Sequence, residues 1–215
     1  MNCLKESFFQ ILLSVVLTVN NNNWLTSWKG LGKYSIMITF SKTPKQRTSV
    51  VTFGNTQLGP YYWVGNCKNG INYYAGQTFK TPAEGVLKGI KVFSSIIHGT
   101  AEATLSIYEF DAVNHTWKEK RGETIKRITK ALENQWINFD LSGIEVKQGA
   151  HYGFKITCDG DGMVAIAECP WKISNPYKDG LEWVGSSYMK EGKFQEDFDF
   201  AFEGEIETSA DAQFI

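Results

Sequence analysis

Trp171, Lys172, Asn175, Tyr177, Asp179, Glu182 and Trp183 fall within thirteen residues of chain. A pyranose ring has a face of C–H groups that stacks on an aromatic plane, and Asp, Asn and Lys side chains exchange hydrogen bonds with its hydroxyls. The spacing predicts a carbohydrate-binding set of Trp171, Tyr177, Asp179, Glu182 and Trp183, joined by Trp117 from an earlier polar segment. Tyr61-Tyr62-Trp63 is a further aromatic cluster beside turn residues. The competing expectation is plainer: such rings cap the open ends of a hydrophobic core.

Other chemistries find fewer residues in a suitable pattern. Glycoside cleavage needs two carboxylates facing across a sugar; Glu109, Asp111, Glu168, Asp179 and Glu182 are the acids that could supply them. Asp197, Asp199, Glu203, Glu205 and Glu207 share one parity near the C-terminus. Such a face of hard oxygen ligands could hold a structural calcium ion, or, simply hydrated, could keep an edge strand from pairing with another molecule. Asp159-Gly160-Asp161-Gly162 lacks the later ligands of a calcium loop and reads as a hairpin turn. There is no Gly-x-Ser-x-Gly and no glycine-rich phosphate loop, and His98, His115 and His151 are not at metal-ligand spacing. Four cysteines without a Cys-x-x-Cys pair suit neither a disulfide scaffold nor a zinc site. Cys158 and Cys169 flank the Asp-Gly-Asp-Gly turn, but a tight hairpin would place Cys169 roughly 20 Å past the point opposite Cys158. That leaves Cys67 as the alternative partner of Cys169.

Strands must position these groups. In Trp136–Ile156, Ile137, Phe139 and Leu141 alternate to one face; Ser142-Gly143 and Gln148-Gly149 supply bends, and Tyr152, Phe154, Ile156 and Cys158 alternate again. This reads as a hairpin-like unit that the rest of the chain covers. Ala101, Ala103, Leu105 and Ile107 form another clean alternation, Asp111–Gly122 a polar loop, and Val164 and Ile166 the partner strand after the Asp-Gly-Asp-Gly turn. Phe194, Phe198, Phe200, Phe202 and Ile206 share a parity in one long last strand opposite its acidic face. Roughly ten short strands with turn-rich spacing predict an all-β, antiparallel β-sandwich of jelly-roll type.

Composition bounds the partners. With 22 basic and 23 acidic residues the net charge is -1, which argues against duplex nucleic acid or an anionic membrane as a broad electrostatic partner. Lys118, Lys120, Arg121, Lys126, Arg127 and Lys130 form the one dense basic run and read as a solvated strand face. Residues 1–44 read as a leader and 45–215 as the sandwich domain, with polar Lys42–Ser49 at the boundary. Within the leader, Phe8–Val19 is an apolar run too short to span a bilayer. It fits the apolar core of a secretory signal, a buried helix or strand, or a non-native leader. Asn114-His115-Thr116 would be a glycosylation sequon in a eukaryotic secretory host.

The order Gln77-Thr78-Phe79, Gly89-Ile90-Lys91-Val92, Leu105-Ser106-Ile107-Tyr108, Trp136–Leu141 and Gly149–Phe154 resembles a jelly-roll accessory domain. Similar strand orders occur in carbohydrate-binding-like modules of secreted bacterial proteins and in viral adhesion proteins. The resemblance covers residues 73 to 158, more loosely to 207, and brings no ligand-binding residue with it. It implies a secreted or cell-surface module that binds glycan without catalysis, structural calcium being optional. The alternatives are a structural or adhesion module whose partner is a protein surface, and a polysaccharide hydrolase or lyase.

Overall fold

The computed structural model describes residues 48–66, 70–170 and 175–209; the leader, Cys67 and Trp171 lie outside them. Twelve strands follow in chain order: β1 (Thr48–Asn55), β2 (Tyr61–Asn66), β3 (Asn72–Lys80), β4 (Gly85–His98), β5 (Ala101–Asp111), β6 (Thr116–Ile128), β7 (Gln135–Val146), β8 (His151–Asp159), β9 (Met163–Ala167), β10 (Glu182–Ser186), β11 (Lys193–Gln195) and β12 (Phe202–Ser209). One layer runs β1-β12-β4-β7 and the other β10-β3-β8-β5-β6, all antiparallel. β4 is long enough to serve two neighbours in succession, β12 along Val86–Val92 and β9 along Ser94–His98. β9 pairs with β2, and β2 touches β3, so the layers are one sheet bent around a corner. The expected antiparallel sandwich is what forms.

Alternation drives its closure. Phe139 of β7, Phe154 of β8, Leu105 and Ile107 of β5, and Phe202 and Ile206 of β12 share one core. Across the layers Phe154 meets Phe202 at 5.7 Å, edge to face, and Phe53 meets Phe79 at 4.9 Å. Each fully buried side chain of this kind contributes roughly 1.5–3 kcal/mol relative to exposure.

Two expected hairpins fail, and both concern which strands lie side by side. Residues 136–156 are not a hairpin-like unit: β7 pairs with β4 while β8 pairs with β3 and β5, so the chain arches from one layer to the other at 147–150. Ser142-Gly143 lies inside β7 and does not divide it. Asp159–Gly162 closes no hairpin either, because β9 pairs with β2 and β4. There the chain passes so close to Thr100 that a Cβ on Gly162 would sit 2.5 Å from a backbone carbon. Alternation tells a residue which face to take; it says nothing about the neighbouring strand. Cys158 and Cys169 are nonetheless separate buried thiols, with burial pushing Cys158 up to about 12.

Residues 116–122, expected as loop, are the first half of β6. Their charges occupy both parities because β6 ends its layer and most of its side chains meet water. Lys118, Lys120 and Arg121 pair with Asp111, Glu123 and Glu109. A charged edge of this kind discourages pairing with a foreign strand.

The long last strand is broken in two. β11 pairs with β10, residues 196–201 leave the ladder apart from one bridge between Phe200 and Glu168, and β12 resumes the pairing. Phe200, Phe202 and Ile206 are buried as expected, whereas Phe194 and Phe198 are half-buried. On the other parity Asp199 is fully buried, not hydrated. Lys91 takes both Glu203 and Glu205, and Lys88 takes Glu207, so the acid stripe of β12 is matched by the lysines of β4.

Candidate functional site

The expected carbohydrate set is divided by the sheet itself. Glu182 and Trp183 are adjacent in β10 and therefore project to opposite faces. Glu182 lies beside Gln77 of β3, which lies beside Phe154 of β8, on the core side. Trp183 lies beside Gly76 and then Lys155, on the outer side.

On the core side three acids gather, and among the described residues no base pairs with them. Glu182 and Asp199 are both 0 % exposed and Glu168 is nearly so. Asp199 Oδ1 accepts from the Gln77 amide at 2.7 Å and Oδ2 from the Tyr177 backbone N–H at 3.1 Å. Glu182 Oε1 accepts from Gln195 at 3.0 Å, while Oε2 has no nitrogen donor and faces the Glu168 carboxyl. Desolvation raises all three above the ordinary carboxylate range, Asp199 to about 7 and Glu182 to about 9, with Glu168 adding to the Glu182 shift. Burial and their mutual repulsion push Glu168 and Glu182 toward the protonated form. Tyr62 nearby is raised to about 12, first by burial and then by Tyr73 and these acids.

On the outer side one base sits without an acid. The Lys155 ammonium lies 4.4 Å from the Trp183 ring centroid, 4.6 Å from Trp117 and 5.3 Å from Tyr108. Two glycines make room for the rings. A Cβ on Gly76 would come within 3.2 Å of the Trp183 indole, and one on Gly153 within 2.7 Å of Trp117. Phe194 and Phe110 complete a satellite cluster, with Phe194 5.7 Å from Trp117 and 5.3 Å from Phe110. Trp183 is 2 % exposed, and its indole N–H donates to Glu191 O at 3.0 Å.

Trp117 and Trp183 are therefore brought together, edge on at 5.8 Å, as packing partners. Tyr177 packs edge-on against Phe202 at 5.1 Å, and Asp179 is exposed in the irregular segment before β10. Trp183 presents no free ring face and Glu182 no accessible carboxylate, which is the arrangement of core caps. The acids considered for glycoside cleavage are likewise committed: Glu109 to Arg121, Asp111 to Lys118 and the Asn114 backbone, Glu168 to Glu182.

Two accessible features lie elsewhere. Where β6 leaves β7, beyond the contact of Gly122 with Ile144, a cleft of about 630 Å³ opens at one end of the sandwich. Glu109, Lys118, Arg121, Glu145, Lys147 and His151 line it, with buried Phe110, Val146 and Tyr152 among its walls. On β2, Tyr61 is 43 % exposed and meets Trp63 edge-on at 5.6 Å; Trp63 in turn stacks on His98 at 5.3 Å. Sequence reasoning missed Lys155 and the cleft, and read Asp199 as part of a hydrated or calcium-binding face, because each depends on strands far apart in the chain. Gly76 and Gly153, glycines inside strands, were the local signals of a close approach.

No family model matches the chain, and no curated protein does. Among solved structures, the subviral particle protein VP2 of infectious bursal disease virus is 13% identical over 80% of this chain and 46% of that chain, with a TM-score of 0.35. The T13 particle of the same virus gives 13% identity, 80% and 43% coverage and a TM-score of 0.33. The virus's Gx strain gives 11%, 80%, 47% and 0.32. The chain spans less than half the length of these structures, and the overlap is too loose to transfer a property from them.

Proposed function

We propose that this β-sandwich is a non-catalytic binding module whose ligand is a carbohydrate, held in the cleft between β6 and β7. The cleft carries the reading. Its volume lies within the 300–1,000 Å³ of small-ligand sites, and acids and bases alternate around it beside apolar walls. A vicinal diol donates and accepts at once, which matches a carboxylate beside a guanidinium such as Glu109 and Arg121, 2.9 Å apart. Calcium is not required by this reading. A secreted or cell-surface location accords with it. Retention on polysaccharide affinity gels is the test. Binding should weaken about tenfold, or roughly 1.4 kcal/mol, in Glu109→Gln and Arg121→Gln, without loss of fold. No retention on any polysaccharide would overturn it.

A second reading, a module that docks on protein, is favoured by exposed Leu58 and Tyr61, the latter edge-on to half-buried Trp63. Tyr61→Ser would then abolish binding that Glu109→Gln leaves intact. Among the described residues no helix is long and apolar enough to cross a membrane.

A further inference from the structure

Lys155 has a setting unlike that of the chain's other described lysines. It is the one described lysine set over aromatic faces, and among the described residues no carboxylate lies within ion-pair reach of it, whereas the paired lysines Lys88, Lys91, Lys118, Lys120 and Lys130 each have one. Its cross-strand neighbours are Gly76 on β3 and Ser106 on β5. The nearest acids by register are already occupied: Glu123 beside Ser106 is held by Lys120, and Glu109 by Arg121. Glu182 projects through the sheet to the other face, and the neighbouring side chain of β10 is the Trp183 ring. Lys193 on β11 pairs with Val184 and so takes the opposite face from Trp183, whose own partner there is Phe194. The amine is thus half-buried against three aromatic faces, with neither a counter-ion to fix its proton nor full enclosure to bar a reagent.

We propose that Lys155 is a nucleophilic amine that captures small aldehydes as imines inside the Tyr108–Trp117–Trp183 cage. The neutral amine adds to the carbonyl carbon, and its proton passes to the carbonyl oxygen to give a carbinolamine. Loss of water then leaves a C=N bond, so amine plus aldehyde gives imine plus water, with no oxidant or reductant. The cage selects the carbonyl class. A protonated imine is still a cation and keeps its attraction to the ring faces. A carbamate or an acyl adduct bearing a carboxylate would press negative charge against the negative face of each ring. Burial also pushes the amine down to about 8, so near that pH the neutral form is roughly a hundredfold more abundant than on an ordinary lysine. This site is separate from the β6–β7 cleft and does not depend on the ligand proposed there.

The test uses the full chain, limiting benzaldehyde and sodium cyanoborohydride, which reduces the imine to a stable amine, with peptide mass mapping at pH 8. Lys155 should be labelled about tenfold faster than exposed Lys178 and Lys190, the lower basicity of its amine offsetting part of its larger neutral fraction. Its rate should level off above about pH 8 while theirs keep rising. Trp117→Leu, which opens one wall, should bring Lys155 down to the rate of the exposed lysines. Should that variant fail to fold, Tyr108→Leu makes the same comparison. Labelling of Lys155 no faster than Lys178 and Lys190 overturns the proposal, as does selectivity that survives loss of the cage.

Discussion

The two faces of β10 bury opposite charges in opposite company. Among the described residues, Glu182 joins Glu168 and Asp199 inward with amides but no cation, while outward Trp183 covers Lys155, an amine with rings but no anion. One residue of sequence separates these environments. The difference teaches that burial, more than the residue's own chemistry, sets ionisation here. Each face pushes its group toward the neutral form, the acids upward and the amine downward.

The largest effect should come from the outer face. Trp183→Ala removes a ring that fills the space over Gly76 and Gly192, and should cost about 3–5 kcal/mol in urea unfolding. A change below 1 kcal/mol would mean that the satellite cluster is ornamental to the fold.

The inner face should dominate the pH profile. A raised carboxyl binds protons more tightly folded than unfolded, so its stabilising contribution is complete below about pH 4. It is lost as pH rises through about 7 for Asp199 and about 9 for Glu182. Lys155 acts in the other direction: depressed when folded, it favours the native state only above about 8. Between about pH 4 and 8 stability should therefore fall, measured as the urea midpoint against pH. Glu182→Gln, which retains the hydrogen-bonding shape without the titration, should flatten that fall. An unaltered slope would place the pH dependence elsewhere.

Lys155→Met should be nearly silent at pH 7, within about 1 kcal/mol, because losing the cation–π attraction is offset by relief of desolvation. Smallest of all, Lys91→Met breaks two partly exposed ion pairs with Glu203 and Glu205 and should cost no more than about 0.5–1 kcal/mol.

How much of this was legible in the sequence follows from where each determinant lies. Ile137, Phe139, Phe154 and Phe202 announce their side of the sheet by alternation, a local property, and all four are buried. The layers were legible for that reason. Partnership was not: β7 with β4 and β8 with β3 are decided by distant segments, so adjacent strands were read as hairpins. The basic run of β6 was legible as a solvated strand face, but its first half was also read as loop, because it has no strongly apolar face and a charged edge strand looks like a loop. Of the aromatic residues expected to act together, only Trp117 and Trp183 meet, while Tyr177 packs on Phe202; stacking on a sugar and stacking on one another demand the same residues. Only the register Trp183–Gly76–Lys155, spanning three strands, shows how the cage is assembled.

The place of β12 has a consequence for biosynthesis. It lies between β1 and β4, so the earliest described strand has no partner until Phe202–Ser209 has been made. A chain emerging N-terminus first therefore holds two open strand edges, on β1 and β4, until residues 202–209 have followed. Pairing across so long a sequence separation is the kind of contact that slows folding.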